Sequence, residues 1–449
     1  MATATPTSTK SGDGTRPGRS QARFAFTILL IINILNYADR YVLPAILPKI
    51  RGDLGLTPLQ EGLLGSAFLL VYAFATLPLG MWADRSIRKN IVSLCVAIWS
   101  LATVLAGITR NFAQLFIVRS LLGIGEAGYA PASLSLLGDF FPQAKRGRIL
   151  SYWSAGTLIG AAIGFTLGGL VAEAFGWRSA FYVVGIPGLI AAFLAWRMTE
   201  PARGAFDNES SEDEVQEATT VNSVGHASIG SDFRESVKKL FKIPTYWILL
   251  LALVFSFFTI GGTSFWLPSY FVDTFSLKLG QAGIISGAVL VGSGLIGTVA
   301  GGWLADFVQR RRPEGRLLVA ALGFLLGAPL VLLALLIHTL PLFIAVFVLA
   351  AISLNFCTGP LNAVTQDIIT PEMRATAIGL ALLLAHLLGD ASAPFMIGAI
   401  DNQSHSLGLA LITTAPTFLF LAGLICLIGL RTVASDMRRM QQQMRARKR

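Results

Sequence analysis

Four charged residues stand inside otherwise apolar stretches: Asp39, Arg40, Arg119 and Glu126. A lone charge near a bilayer centre costs about 2.5–3.5 kcal/mol on insertion scales, so such residues face a cavity and pair with one another. Asn36 and Arg40 are four apart and share a helix face, and Asp39 lies about 100° round from that face. Arg119 and Glu126 are seven apart, two turns along one face. Two carboxylates and two guanidiniums can therefore form one intramembrane network. Arginine keeps its charge, whereas a carboxylate exchanges a proton with its surroundings. If an arginine alternates between Glu126 and an anionic substrate, proton release is coupled to substrate binding. Asp39 and Glu126 are thus the candidate proton-linked acids, and Arg40 and Arg119 the candidate partner or headgroup cations. Asn36 and Tyr37 are candidate neighbours. A fixed buried salt bridge is the competing account of the same four residues.

A second polar set lies later in the chain. His386 and Asp390 are four apart on one face, and histidine titrates nearest neutrality. Asn355 and Asn362 are seven apart. Helix-to-helix hydrogen bonding explains the two asparagines equally well. Phe255, Phe257, Phe258, Phe265 and Trp266 precede Pro268, which permits a local helix break. These aromatics suit either an apolar substrate tail or surrounding lipid. Gly123-Ile124-Gly125-Glu126-Ala127-Gly128 fits a dinucleotide glycine pattern, but it lies mid-helix with no preceding strand, so that reading fails. No phosphate-cradling loop and no metal-ligand spacing occurs. No cofactor, metal or catalytic constellation is expected, and the chain does not read as an enzyme.

These residues must be positioned by membrane helices. The chain has 449 residues, 54% hydrophobic and 13% charged, against roughly 25% charged in soluble proteins. Apolar stretches long enough for a hydrocarbon core of about 30 Å recur from Ala22 to Leu430. Twelve spans are expected near 23–48, 58–83, 90–109, 113–140, 148–173, 179–197, 245–272, 281–308, 317–338, 341–369, 375–400 and 407–430. The ends and the even-numbered loops then carry 28 of the 35 Lys and Arg, and the opposite side carries five. Positive charge marks the cytoplasmic side, which places both termini there. The net charge of +10 is explained by topology rather than by nucleic acid. Cys95, Cys357 and Cys426 read as small buried hydrophobes. Residues 1–22 read as a polar, disordered cytoplasmic tail with no cleavable signal peptide. Residues 199–243 read as a cytoplasmic linker between six-helix bundles at 23–198 and 244–431, helical in part near 233–241. Residues 432–449 read as a basic cytoplasmic tail.

The two bundles look like repeats. Gly80-Met81-Trp82-Ala83-Asp84 ends the second span, and Gly302-Trp303-Leu304-Ala305-Asp306 ends the eighth. Asp139 precedes Arg146 by seven residues, as Asp367 precedes Arg374. Gly156, Gly160, Gly164 and Gly168 form a four-spaced ladder, and Gly294, Gly297 and Gly301 lie on a similar face of the eighth span. Such stripes pack closely and also suit helices that slide. Repeated halves with a site between them are the architecture of many secondary transporters.

At this level the chain resembles the major facilitator superfamily. Gly80-x-x-x-Asp84-Arg85-x-x-Arg88-Lys89 resembles its loop motif, with Ile87 where glycine is usual. Arg119-x-x-x-Gly123 and Gly176-Trp177-Arg178 are similar to two further motifs. The loop motif implies a gate: Asp84 against a helix N-terminus of the other half, with Arg85 and Arg88 paired to acids such as Asp139. Arg146, Asp306, Asp367 and Arg374 are the matching gate candidates. Within the superfamily, Asn36-Tyr37-Ala38-Asp39-Arg40 resembles the first-helix signature of the spinster family of lipid transporters. His386-Leu387-Leu388-Gly389-Asp390-Ala391-Ser392-Ala393-Pro394 resembles its eleventh-helix stretch, with Ala393 where serine is common. The resemblance implies an all-α fold of two pseudo-symmetric bundles and proton-linked transport of lysophospholipids or sphingoid lipids by alternating access. It makes a lipid or amphiphile, protons and membrane lipids the partners of a monomer in the plasma membrane, the inner membrane if the source is Gram-negative. A proton-linked carrier of a small organic anion and a multidrug antiporter are the alternatives. The antiporter reading lacks its helix-five proline, because Gly160-Ala161-Ala162-Ile163-Gly164 contains none.

Overall fold

The computed structural model describes residues 18–206 and 237–447, and every regular element among them is a helix. The expected tail at 1–17 and the acidic part of the linker lie outside the described residues. Eleven helices are long and apolar enough to cross a membrane. The fourth span makes the twelfth, and it is split into Phe112–Ala127 and Tyr129–Phe140 at Gly128. The tenth span is split likewise into Leu340–Asn355 and Thr358–Ile368. Phe74, Val299 and Trp303 are 71–72% exposed. Surfaces of that kind belong in lipid tails rather than water.

Several boundaries depart from the sequence reading. The first helix runs from Arg19 to Leu54, so residues 19–22 are helical rather than tail. The last helix continues from Leu407 to Arg447, so the basic segment after residue 431 is not a loose tail. It stays helical because its inner face is anchored: Val433 and Asp436 are buried, and the Asp436 carboxylate accepts from the Thr245 backbone N–H at 3.2 Å. That bond satisfies one free N–H in the first turn of the seventh span. Helix at 237–240 matches the end of the segment expected to be helical. Pro268 does not break the seventh span, which is continuous from Pro244 to Phe275.

The repeat is carried by two matching ion-pair networks on the face that holds the chain ends. Arg88 donates from Nη1 to Asp139 and from Nε to Glu200 at 2.8 Å. Arg316 donates to Asp367 at 2.7 Å and to Asp306 at 2.9 Å. Each arginine lies 51 residues before its aspartate. Arg146 Nε donates to the Gly138 and Phe141 carbonyls, and Arg374 Nε to those of Gln366 and Ile369. Both therefore cap the carbonyls that end a helix at the same offsets. The first network also pins the start of the linker: Gly204 N–H donates to Asp139 at 2.9 Å, and Arg203 donates to the Ala83 and Ser86 carbonyls.

The halves meet on the face opposite the chain ends. One hydrophobic core runs through the second bundle and into Val42–Ile50, Phe165 and Phe181 of the first; a separate core fills the first bundle nearer the chain ends. Across the seam, the Phe395 N–H donates to Ser66 Oγ at 3.1 Å, and the Gly280 N–H donates to Glu173 at 2.9 Å. A side chain at Gly62 would collide with the Pro394 carbonyl, and one at Gly283 with that of Phe165. The glycine ladder does a different task. Gly156, Gly160, Gly164 and Gly168 seat the fifth span on the first span of the same bundle, against Leu30 to Ala45. In the eighth span Gly297 and Gly301 meet the tenth span, while Gly294 faces open space.

Two stability outcomes follow from this packing. Gly164→Val forces a branched side chain onto the Ala38 backbone, and overpacking of that kind costs about 1–3 kcal/mol. It is expected to lower the thermal unfolding midpoint in detergent, whereas Gly302→Ala, with nothing near its Cβ, leaves it unchanged. Arg88 is 2% exposed at its side chain and Arg316 26%. Removing one partner of a buried pair costs about 3–5 kcal/mol, and of a more exposed pair about 0–1 kcal/mol. Arg88→Ala is therefore expected to destabilise far more than Arg316→Ala in the same melt, although the two are repeat equivalents.

Candidate functional site

The central site is built where the first span crosses the fourth. Arg40 Nε lies 2.6 Å from Glu126 Oε2. Arg119 is 2% exposed and lies within electrostatic reach of Asp39 and Glu126. Asp39 accepts a hydrogen bond from the Thr103 hydroxyl. The sequence brings these groups together by two devices. The helical spacing of Asn36, Asp39 and Arg40 spreads them over an inward arc. Gly123 and Gly125 then let the fourth span approach closely: a Cβ at Gly123 would meet the Phe68 carbonyl at 2.6 Å, and one at Gly125 the Trp99 backbone at 2.6 Å. The fourth span breaks at Gly128, two residues after Glu126.

Aromatic rings wrap the cations. The Arg40 guanidinium stands 4.5 Å from the Tyr72 ring centroid, 5.0 Å from Tyr37 and 5.3 Å from Phe68. Arg119 stands 5.1 Å from the same Phe68 ring. Ring faces attract cations and hold them without fixing a single hydrogen-bond partner. Phe68 and Tyr72, on the second span, were absent from the sequence reading. Their four-residue spacing was visible, but an apolar helix carries many such pairs.

The site is not saturated. Among the described residues, Asp39 Oδ1 and Arg119 Nε and Nη1 are buried without hydrogen-bond partners. Buried polar atoms are nearly always bonded, so these three leave hydrogen-bonding capacity unused at one place. The Arg40 side chain, at 16% exposed, is the opening to it.

The other sequence candidates fall into separate groups. His386 Nδ1 lies 2.9 Å from Asp390 Oδ2 within a π-helical turn, His386–Asp390, that interrupts the eleventh span. The His386 ring packs edge-on to Phe257 at 5.0 Å, and Asp390 lies within electrostatic reach of Tyr41, one residue from Arg40. This pair therefore faces the first bundle from the second. Asn355 donates to its own helix at Ala351 and also lines a cavity; Asn362 is half-buried. Trp266 is fully buried and donates to the Pro394 carbonyl at 3.3 Å, and Phe265 packs on Gly65. Both are buried parts of the seam between bundles. Among the described residues, Arg88 pairs with Asp139 within the first bundle and Arg146 caps a helix end beside them, while Asp306, Asp367 and Arg374 lie in the matching region of the second bundle. Gly80 has open space beside it, Arg85 is exposed, and the side chain of Asp84 lies outside the described residues. The cation that holds Asp306 and Asp367, Arg316, was not singled out from sequence. Its 51-residue lead on Asp367, equal to that of Arg88 on Asp139, was the available signal.

A cavity of about 50 Å³ lies in the second bundle beside this site. Ile260, Leu267, Val289, Leu290, Phe347 and Leu354 form its apolar wall, and Thr259, Thr263, Ser286 and Ser293 add hydroxyls. Three of these hydroxyls already donate to carbonyls of their own helices, which leaves the wall less polar than its composition suggests. Phe165 links the two regions: it lines the cavity and stacks at 4.8 Å on Tyr41, the neighbour of Arg40. A cationic, aromatic-lined site in one bundle thus adjoins an apolar cavity in the other.

With that geometry in hand, the comparisons with known proteins are specific. Residues 29–394 match the family model of the Major Facilitator Superfamily. The Xenopus tropicalis protein spinster homolog 1 is 30% identical over 84% of this chain and 72% of its own length. A sphingosine-1-phosphate transporter of Danio rerio is 28% identical over 84% of this chain and 75% of its own. The crystal structure of a bacterial homologue of the human lysosomal transporter spinster, in an inward-facing, unoccupied conformation, superposes with a TM-score of 0.77 at 25% identity, covering 95% of this chain and 99% of that one. Neither the fold nor these relatives belong to enzymes. The chain belongs to the major facilitator superfamily and, within it, to the spinster family of multi-pass membrane transporters.

Proposed function

We propose that this protein is a proton-coupled carrier of a lysophospholipid or sphingoid-type lipid that works by alternating access. The observation that carries the reading is the junction of a cationic site with an apolar cavity across Tyr41 and Phe165. An amphiphile with an anionic or zwitterionic headgroup needs both at once. The headgroup would bind at Arg40 and Arg119, and the tail would enter the second bundle. The Danio rerio relative, named for a phosphorylated sphingoid base, supports the same class. A small hydrophilic anion would leave the apolar cavity unused.

Proton coupling follows from competition for one cation. Arg40 is engaged by Glu126 at 2.6 Å in this state. A substrate phosphate that takes Arg40 away leaves Glu126 buried and ionised, and an uncompensated buried charge is removed at least cost by taking up a proton, so substrate binding brings proton uptake rather than the release expected from the sequence. Asp39, held by Thr103 and close to Arg119, is the second carboxyl of the pathway. The excess of Lys and Arg on the face of the chain ends makes that face cytoplasmic. The seam is then closed on the outside and the conformation is inward-facing.

The test is transport in liposomes with an imposed pH gradient, using labelled lysophospholipids, sphingosine-1-phosphate and small organic acids. Arg119→Ala and Arg40→Ala are each expected to weaken lipid binding by about 10–150-fold, the worth of a charge-assisted hydrogen bond of about 1.5–3 kcal/mol. Glu126→Gln is expected to abolish gradient-driven accumulation while lipid exchange continues. Selective binding of a small hydrophilic acid would refute the lipid reading, and gradient-driven transport by Glu126→Gln would refute the coupling.

A further inference from the structure

A second cluster of charge lies on the opposite face of the molecule, far along the first span from Arg40 and apart from the central site. Arg51 Nη1 and Nη2 each lie 3.1 Å from Asp273 Oδ2 on the seventh span. Arg51 Nε also pairs with Glu61 Oε1 on the second span at 2.8 Å, and Arg51 is the one cation that Glu61 pairs with among the described residues. Asp401 at the end of the eleventh span is 7% exposed and lies within electrostatic reach of Arg51, Asp273, Glu61 and His405. Three carboxyls thus share one guanidinium, with His405 beside Asp401 at the margin. The Glu61 side chain is 0% exposed.

Its burial depends on the seam. Glu61 sits between Pro58, whose carbonyl abuts Gly398, and Gly62, which abuts the Pro394 carbonyl. When the eleventh span leaves the second, that cover is lost and water reaches Glu61. Arg51 belongs to the first bundle and Asp273 to the second, so closing the seam also commits two guanidinium donors to Asp273. With Asp273 and Asp401 beside it, an ionised Glu61 would then share a single guanidinium with two other carboxyls, leaving enclosed negative charge uncompensated. A proton removes that cost. We propose that Glu61 is a second proton-binding carboxyl of this carrier, and that a proton taken up there from the face opposite the chain ends lets the two bundles close on that face. The proton stays trapped while the seam is shut and leaves when it opens. This goes beyond the central site and does not depend on which lipid is carried.

The distance across that face reads the proposal directly. Ile108 and Leu342 are 60% and 54% exposed on that face, one in each bundle. The three native cysteines are buried, so I108C and L342C take spin labels selectively. In the full chain in nanodiscs, the ratio of the long (open) to the short (closed) distance is expected to rise with pH, approaching tenfold per unit for a single proton. Glu61→Gln should keep the short distance at every pH. Asp273→Asn removes an ion pair across the seam but keeps Glu61, so the wild-type pH slope should persist about a shifted midpoint. The proposal is overturned if the wild-type ratio does not change with pH, if Glu61→Gln keeps the wild-type slope, or if Asp273→Asn leaves the midpoint unmoved. Failure of lipid transport would leave these distances unaffected, so the two readings fail separately.

Discussion

The bond between Arg40 and Glu126 sets the terms for the rest of the protein. Two opposite charges held 2.6 Å apart within the membrane compensate each other's loss of water, and neither can leave without another partner arriving. Everything around them serves that pairing. Gly123 and Gly125 bring the fourth span close enough for Glu126 to reach, three aromatic rings cradle the guanidinium, and Thr103 holds the second carboxyl. Arg119 Nε and Nη1 and Asp39 Oδ1 keep unused hydrogen-bonding capacity beside that bond.

The two bundles repeat their scaffold and diverge in their chemistry. Arg88 with Asp139 and Arg316 with Asp367 are the same joint built twice, and Arg146 and Arg374 cap equivalent helix ends. These joints lie within bundles, so each half can move as a body against the other. The buried Asp39, Arg119 and Glu126 stand in the first bundle with Arg40, and the apolar cavity is in the second. A headgroup and a tail differ in the same way, and the boundary between bundles at Tyr41 and Phe165 is where they would join.

The seam shows how such a body stays reversible. It closes through glycine contacts, a few cross-bundle hydrogen bonds and the Arg51–Asp273 pair, with the apolar core continuous only on that face. Interfaces of small residues pack closely yet interlock little. On the face of the chain ends, the ion pairs described above hold each bundle together.

The sequence by itself determined the membrane class, the twelve spans, the two-fold repeat and the composition of the central site. Hydropathy reads directly as spans because every residue in a bilayer pays for its own polarity, and helical spacing alone grouped Asn36 with Arg40 and Arg119 with Glu126. It also marked His386 and Asp390, which are four apart in any helix. What tertiary structure decided was every relation between helices. That Arg40 rather than Arg119 holds Glu126, that Trp266 is a seam residue, and that Arg51, Glu61, Asp273 and Asp401 converge from four spans all depend on how the helices are rotated and which ones touch. Periodicity fixes a side chain's angle about its own helix axis. It carries no information on the neighbour at that angle, and in a protein whose helices are apolar nearly all round, the choice among faces is made by packing.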